Sequence, residues 1–458
     1  MAVNPADGAL YVSAPKIYAR SVRGVYARLR VLTAVTLLGV FYLLPWLSWD
    51  GQPLLLFDLP ARRFHVFGLT LVPQDMVLLT GLLIISALGL FLFTSLAGRL
   101  FCGYACPQTV WTESFMWIER LVEGDRHARM QRDKAPWVAR NLWRKSLKHA
   151  LWILLAAWTG ISFVAYFVPI QTLLADLSRA ELGGWPLFWS AFYGFATWGN
   201  AGFMREQVCR YMCPYARFQS AMFDRDTLII AYHELRGEPR KSLARRTEQT
   251  AGDCIDCKLC VQVCPTGIDI RDGLQYECIA CAACVDACDS VMDRIGKPRG
   301  LVRYSSANRD AGGRFHFLRP RVLGYGLVLT IVIGVWAAAL FGRSDLQMVV
   351  IGDRQSLVRQ LADGQRENIY TLRLTNKSGQ ARALRLEVVD AAGRPVRVQP
   401  DRFALGPSES ARHSVSVRLQ PIEPAASLGL RFQAYWEDAI DAQPAAHAEG
   451  RFVTGYLP

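Results

Sequence analysis

Eight cysteines between Cys254 and Cys288 fall in two identical runs, Cys254-xx-Cys257-xx-Cys260-xxx-Cys264 and Cys278-xx-Cys281-xx-Cys284-xxx-Cys288, offset by 24 residues. This spacing suits thiolate ligation of two [4Fe-4S] clusters. A cubane needs four thiolates at the corners of a tetrahedron, and three residues on one tight loop supply only three of them. In paired runs the last cysteine of each serves the other cluster. The expected sets are therefore Cys254, Cys257, Cys260 with Cys288, and Cys278, Cys281, Cys284 with Cys264. Zinc sites use pairs of CxxC or mixed Cys and His ligands, a different layout. Cys264 is followed by Pro265, whereas Cys288 is followed by Asp289, and an added carboxylate beside one cluster lowers its potential. The two clusters are expected to differ. Two adjacent clusters make an electron conductor.

The other four cysteines also form a repeat, Cys102-Gly-Tyr-Ala-Cys106-Pro107 and Cys209-Arg-Tyr-Met-Cys213-Pro214, offset by 107 residues. Arg99 and Arg205 stand just ahead, and Tyr104 and Tyr211 occupy the same place within each copy. Proline favours the first position of a helix, which puts Cys106 and Cys213 at helix N-caps. There the helix dipole favours thiolate, the nucleophilic and metal-binding form. Phe115, Trp117, Ile118, Leu121 and Val122 then recur with roughly helical spacing, as in a helix lying in the membrane interface. Four converging thiolates suit a copper ion, a zinc ion or a further iron-sulfur cluster. The alternative is plain packing, the usual fate of a free cysteine. Histidine and methionine say less: His65, with Asp50 and Asp58, could meet a metal but reads better as a solvated loop residue. His149 sits at the edge of a span, and Met204 and Met212 flank the second motif.

The elements that must position these cysteines are apolar. Five nearly uncharged stretches, Val31 to Trp49, Met76 to Ala97, Ala150 to Pro169, Trp185 to Met204 and Val322 to Phe341, approach the ~20 residues that cross a bilayer. Trp185 to Met204, rich in glycine, is the weakest of them. No cleavable secretory signal precedes the first stretch. Lys16, Arg20, Arg23, Arg28 and Arg30 lie ahead of it, the Asp50 to Asp75 connection holds only Arg62 and Arg63, Gly98 to His149 is basic again, and Ile170 to Gly184 holds only Arg179. By the positive-inside rule the N-terminus and the cluster segment are cytoplasmic and everything after the last span is outside. The net charge of +13 follows from this topology and from contact with anionic lipid. No nucleic-acid motif accompanies it. All twelve cysteines fall on the reducing side, and none follows Cys288, which argues against disulfides.

After Arg343 the sequence becomes short alternating segments separated by turns. Asn368 to Thr375, Leu384 to Val389, His413 to Leu419 and Leu430 to Trp436 read as strands, with weaker candidates at Gln347 to Ile351 and Val396 to Gln399. This rhythm predicts a cysteine-free immunoglobulin-like sandwich with no catalytic constellation. The fold class is a multidomain membrane protein: a five-span α-helical transmembrane bundle, an inserted two-[4Fe-4S] ferredoxin-like domain, and a C-terminal all-β immunoglobulin-like sandwich. The expected domains are a cytoplasmic segment 1–30, a membrane domain 31–221, a ferredoxin-like domain 222–321, a fifth helix 322–341 and an outer domain 342–458.

RLFCGYACPQTVWTESFMWIERLVEGDR, LLPWLSWDGQP and DCIDCKLCVQVCPTGIDIRDGLQYECIACAACVDACD, with the C-terminal domain, resemble the CcoG/FixG family of cytochrome c oxidase accessory proteins over nearly the whole chain. The resemblance implies a bacterial inner-membrane protein acting in assembly of cbb3-type cytochrome oxidase, reducing Cu(II) to Cu(I) for its copper centre. The implied partners are the lipid bilayer, a cytoplasmic electron donor, copper ion and oxidase assembly factors or subunits. The implied terminal, catalytic site is Cys102, Cys106, Cys209 and Cys213. Two other readings stand beside it: a relay from quinol or a soluble donor to a periplasmic reductase, and an assembly scaffold with structural clusters. Homo-oligomer formation is left open by the sequence.

Overall fold

Long runs of leucine, valine and alanine without a proline make Val25–Leu43 (α1) and Met76–Ala97 (α2) helical throughout. The computed structural model describes residues 16–49, 52–135, 139–241, 251–353, 358–407, 409–420, 427–438 and 443–454. After α2 come the short Leu100–Tyr104 (α3), then Pro107–Glu123 (α4), Arg126–Lys134 (α5), Ala139–Val164 (α6), Ile170–Ser178 (α7), Gly184–Thr197 (α8) and, later, Pro214–Met222 (α9). Among the described residues, Val25–Trp46, Met76–Ala97, Ala139–Val164 and Pro320–Phe341 are the four helices long and apolar enough to cross a membrane.

Three expected spans change. The first helix begins at Val25, six residues before Val31, because the Asp286 carboxylate accepts from the amides of Tyr26 (3.2 Å) and Ala27 (2.7 Å) and so caps a helix start that hydropathy does not mark. Trp49, expected at its end, is in a strand. The third runs over Ala139–Val164 rather than Ala150 to Pro169, since its charged first turns are helical as well. The expected fourth is not one long α-helix: α8 gives way at Trp198 to a π-helical turn, Trp198–Met204. Insertions of this kind are rare and concentrate at functional sites.

Two compact units form, Met1–Pro45 with Leu83–Ile333, and Trp46–Leu82 with Gly334–Pro458. In the first, α6 and α8 approach so closely that a Cβ on Gly160 would lie 2.1 Å from the Ser190 carbonyl oxygen. Phe115, Trp152, Ala156 and Ala201 fill the space where α4 joins them. The cysteine-rich segment belongs to this same unit, and a two-stranded antiparallel ribbon, Ile229–Tyr232 with Val302–Ser305, brackets it.

The second unit holds the sandwich. Leu346–Gly352, Arg366–Asn376 and Ser410–Leu419 pair antiparallel, as do Arg382–Asp390, Ser427–Trp436 and Ala446–Val453, and Pro395–Gln399 bonds to both groups. Tyr370, Leu372 and Leu374 alternate inward onto Leu384, Leu386 and Phe432. The strands Arg402–Leu405 and Ala446–Val453 were not expected, because AHAEGRFV carries almost no β-propensity and is held by its neighbour's ladder. The Trp46–Leu82 connection is itself partly a sheet, Leu55–Asp58, Arg63–Val66 and Leu69–Leu71. Its Asp75 pairs with Lys377 at 2.8 Å and Arg343 at 3.6 Å.

Replacing Asp286 with Ala removes the α1 cap and should cost about 1 kcal/mol. The expected outcome is a lowered melting temperature that Asp286→Asn partly restores.

Candidate metal centres

The doubled motif is doubled in its backbone. Asp256 and Lys258 flank Cys257 with φ of 57° and 55°, and Ala280 and Ala282 flank Cys281 with φ of 54° and 56°. Non-glycine residues avoid this left-handed region, and four of them at equivalent places mark a loop shape that the site requires. Turns that use left-handed residues direct backbone N–H groups to one side, a concavity suited to an anion such as a thiolate-ligated cluster.

The eight thiols line two neighbouring cavities. Cys254, Cys257, Cys260 and Cys288 line one small cavity, walled by Leu259, Val291, Leu301 and Val302. Cys264, Cys278, Cys281 and Cys284 line another, walled by Ile230, Ile268 and Ile270. Cys260 borders both, so the two cavities are adjacent. Among the described residues no three His, Cys, Asp or Glu side chains converge on a point that would hold a single metal ion. The all-thiol donor set around each cavity fits [4Fe-4S]. Burial pushes Cys278 and Cys288 up to about 12 and Cys260 up to about 11. Ligation displaces those protons.

Cations stand over the second set. Arg30, within α1, donates to the Cys281 carbonyl at 2.5 Å. Arg99, buried, donates to the carbonyls of Tyr276, Cys278 and Ala216. At the first set Arg271 is neutralised by Asp269 (2.6 Å) and Asp256 (2.5 Å), and Asp289, beside Cys288, accepts from the Gly300 amide at 2.9 Å. The expected inequivalence thus has more behind it than Asp289. Arg30 and Arg271 were invisible as site residues in the sequence, since one lies in a basic juxtamembrane stretch and the other in an unremarkable loop.

The remaining four thiols lie near enough to influence one another's ionisation, but among the described residues no three of them converge as ligands of a single ion. Cys102 is in α3, Cys209 in a second π-helical turn, Val208–Met212, and Cys106 and Cys213 are the N-caps of α4 and α9. Burial and then the neighbouring Cys106 raise Cys102 to about 12. Burial, Cys106 and Cys213 raise Cys209 to about 11, and Arg99 pulls both back. At Cys106 burial outweighs the amides of Thr109 and Gln108, so the N-cap does not by itself give a thiolate. The Cys102 thiol donates to Gln219 Oε1 at 3.2 Å. Cys102 also packs against the buried hydrophobic cluster to which Ile279 and Cys281 belong. A Cβ on Gly103 would lie 2.7 Å from the Ile279 carbonyl oxygen. Backbone meets backbone there, and only glycine allows it.

Beneath the site lies a buried ionic network. Glu119, 1% exposed, takes Arg129 at 2.8 Å and Arg205 at 3.0 Å, and Glu123 takes Lys148 at 3.0 Å. Burial pushes the Glu119 carboxyl up, but Arg205 and Arg129 outweigh it and hold the group below its ordinary value. On α4 Phe115 and Ile118 are buried while Trp117 and Leu121 are exposed. Of the weaker candidates, His65 sits on a strand with its Nδ1 3.2 Å from Thr70 Oγ1, Asp58 accepts from the Ala61 amide, and Asp50 lies outside the described residues. His149 stacks on Phe203, and Met204 and Met212 are exposed.

Residues 204–307 match the family of 4Fe-4S dicluster domains, residues 79–123 a 4Fe-4S binding domain, and residues 336–455 the IG-like fold at the C-terminus of FixG. Protein RdxA of Cereibacter sphaeroides is 42% identical over 405 residues, 84% of each chain, and RdxB of the same organism is 42% identical over 399 residues, again 84% of each. Nitrogen fixation protein FixG of Rhizobium meliloti is 37% identical over 438 residues, 85% of this chain and 82% of its own.

Loaded protein with Arg99→Gln should show one of its two cluster potentials moved down, because the lost cation no longer favours the reduced, more negative state of the Cys278 set. Electron paramagnetic resonance during a redox titration reads this; unmoved potentials would contradict it.

Proposed function

The chain belongs to the FixG family of iron-sulfur electron-transfer proteins, and from that membership we propose that it carries single electrons across the cytoplasmic face of the membrane to Cu(II), making Cu(I) for the copper centre of a cbb3-type oxidase. The observation that carries this is the contact of the Cys102–Cys106 turn with the Ile279–Ala280 loop. It brings Cys102, one of the four soft thiols, to the loop that carries one of the cluster sets.

When bound, the two clusters supply one-electron carriers of low potential. The chain's own residues give the path a direction. Asp289 stands beside Cys288 at one set, while Arg30 and Arg99 stand over Cys281 and Cys278 at the other. Negative charge is therefore stabilised more strongly at the set nearer to Cys102. Cys102, Cys106, Cys209 and Cys213 offer thiolates, which prefer Cu(I) to Cu(II). A site that binds the product ion more tightly than the substrate ion makes the reduction easier. The balance is simple: each Cu(II) takes one electron to become Cu(I), and a low-potential cytoplasmic carrier loses one.

This reading puts the N-terminus and all twelve cysteines in the cytoplasm and the sandwich in the periplasm of a bacterial inner membrane. Its support is the alternation of basic and nearly neutral connections. The five-span count rests on reading α8 and its π-helical continuation, Gly184 to Met204, as one crossing. Their combined length is roughly the ~30 Å of a hydrocarbon core. The sandwich would meet oxidase subunits or assembly factors.

Anaerobically reduced and desalted protein, mixed with Cu(II) and a Cu(I)-specific chelator, should yield Cu(I) in proportion to its reduced clusters. Cys102→Ser with Cys209→Ser should abolish the yield with the cluster signals intact. Cu(II) left untouched by reduced protein would refute the reading.

A further inference from the structure

The turn that closes the first cysteine run brings a hydroxyl onto a sulfur. In it the Gly267 amide donates to the Cys264 carbonyl at 3.3 Å. Pro265 takes the second position, which its fixed φ suits, and Gly267 takes the last with φ of 72°. Thr266, 4% exposed, folds back so that its Oγ1 lies 3.3 Å from the Cys264 sulfur. Among the described residues that hydroxyl has no other partner. The backbone is held as well, since Arg210 of the second CxxxCP motif donates to the Thr266 carbonyl at 2.9 Å.

A thiol and a hydroxyl can each donate, so the contact has no fixed direction while Cys264 is protonated. Ligation fixes it. A cluster ligand is a thiolate without a proton, so the Thr266 hydroxyl must then be the donor and the sulfur the acceptor. The same position in the second run is Ser290, two residues after Cys288, and its hydroxyl donates instead to the Ala287 carbonyl at 2.8 Å. At the first set the Tyr232 hydroxyl stands near Cys254, but its single proton goes to Glu238 Oε1 at 3.1 Å. Backbone amides reach sulfurs of both sets, Val302 at Cys288 and Ala283 at Cys281, and so do not separate them. The hydroxyl on Cys264 does.

We propose that Thr266 sets the potential of the cluster that Cys264 serves, its hydroxyl donating to that sulfur, drawing negative charge off the ligand and favouring the reduced state. Hydrogen bonds to ligand sulfurs are among the determinants of cluster potential, and one to a charged acceptor in a buried site is a strong one. The effect adds to that of Arg30 and Arg99 at Cys281 and Cys278. In the step it favours, one electron leaves the Cys254 set, which is oxidised, and enters the Cys278 set, which is reduced; no proton moves and no bond breaks. The inference rests on the electron-carrier reading and on Cys264 serving with Cys278, and it does not involve copper.

The test is a redox titration of the full chain, loaded with its clusters and followed by electron paramagnetic resonance. Thr266→Val, which keeps the branching and loses the hydroxyl, should lower one of the two potentials. The loss of one hydrogen bond to a charged group shifts the sharing of the electron about tenfold, or ~59 mV for one electron. Thr266→Ala carries the same expectation and guards against a valine variant that fails to fold. Thr266→Ser should keep the unaltered value, and Ser290→Ala should move neither potential. The potential lowered must be the one that Arg99→Gln lowers, because Cys264 and Cys278 serve the same cluster. Unmoved potentials in the valine and alanine variants with both cluster signals intact, or a shift confined to the other cluster, would overturn the proposal. Because the potentials are read without copper, it can fail while Cu(II) reduction stands, and the reverse.

Discussion

One buried cation joins the three segments that carry the chemistry. Arg99 precedes the first CxxxCP motif, and its guanidinium reaches the carbonyls of Tyr276 and Cys278 in the cluster loop and of Ala216 in α9, next to the second motif. Among the described residues no carboxylate pairs with it, so its charge is balanced by oriented carbonyl dipoles and by the ligands those carbonyls belong to. A cation so placed performs two tasks at once. It locks distant backbones together and biases the adjacent thiols toward the ionised form.

The arginine ahead of the second motif has another role. Arg205 stands one residue further from its motif than Arg99 does, and it pairs with Glu119 and donates to the Gly202 carbonyl. It also lies over the Trp152 ring. The two halves of the repeat thus share a cysteine pattern and differ in how the preceding arginine is anchored, while Arg210 within the second motif donates to the Thr266 carbonyl of the cluster segment at 2.9 Å.

The 4Fe-4S binding segments and the N-cap places of Cys106 and Cys213 were legible in the sequence, since metal-binding loops leave a fixed spacing and Pro marks a helix start. The inward strands of the sandwich were legible too, from alternation at Tyr370, Leu372 and Leu374. What escaped depends on partners remote in the chain. Asp286 caps a helix some 260 residues earlier, Arg30 serves Cys281 from what reads as a topogenic charge, and Glu119 looks like an ordinary polar residue on an amphipathic helix. The π-helical turn at Trp198 was hidden because periodicity is indifferent to one inserted residue.

The central claim is that the CxxxCP thiols and the clusters form a single electron path through the contact at Gly103. The rate at which reduced clusters are reoxidised by Cu(II), followed by anaerobic stopped-flow absorbance in Gly103→Val, tests it most directly. A valine side chain cannot fit against the Ile279 carbonyl oxygen and must push the loops apart. The account predicts slower reoxidation at unchanged cluster content; an unchanged rate would contradict it.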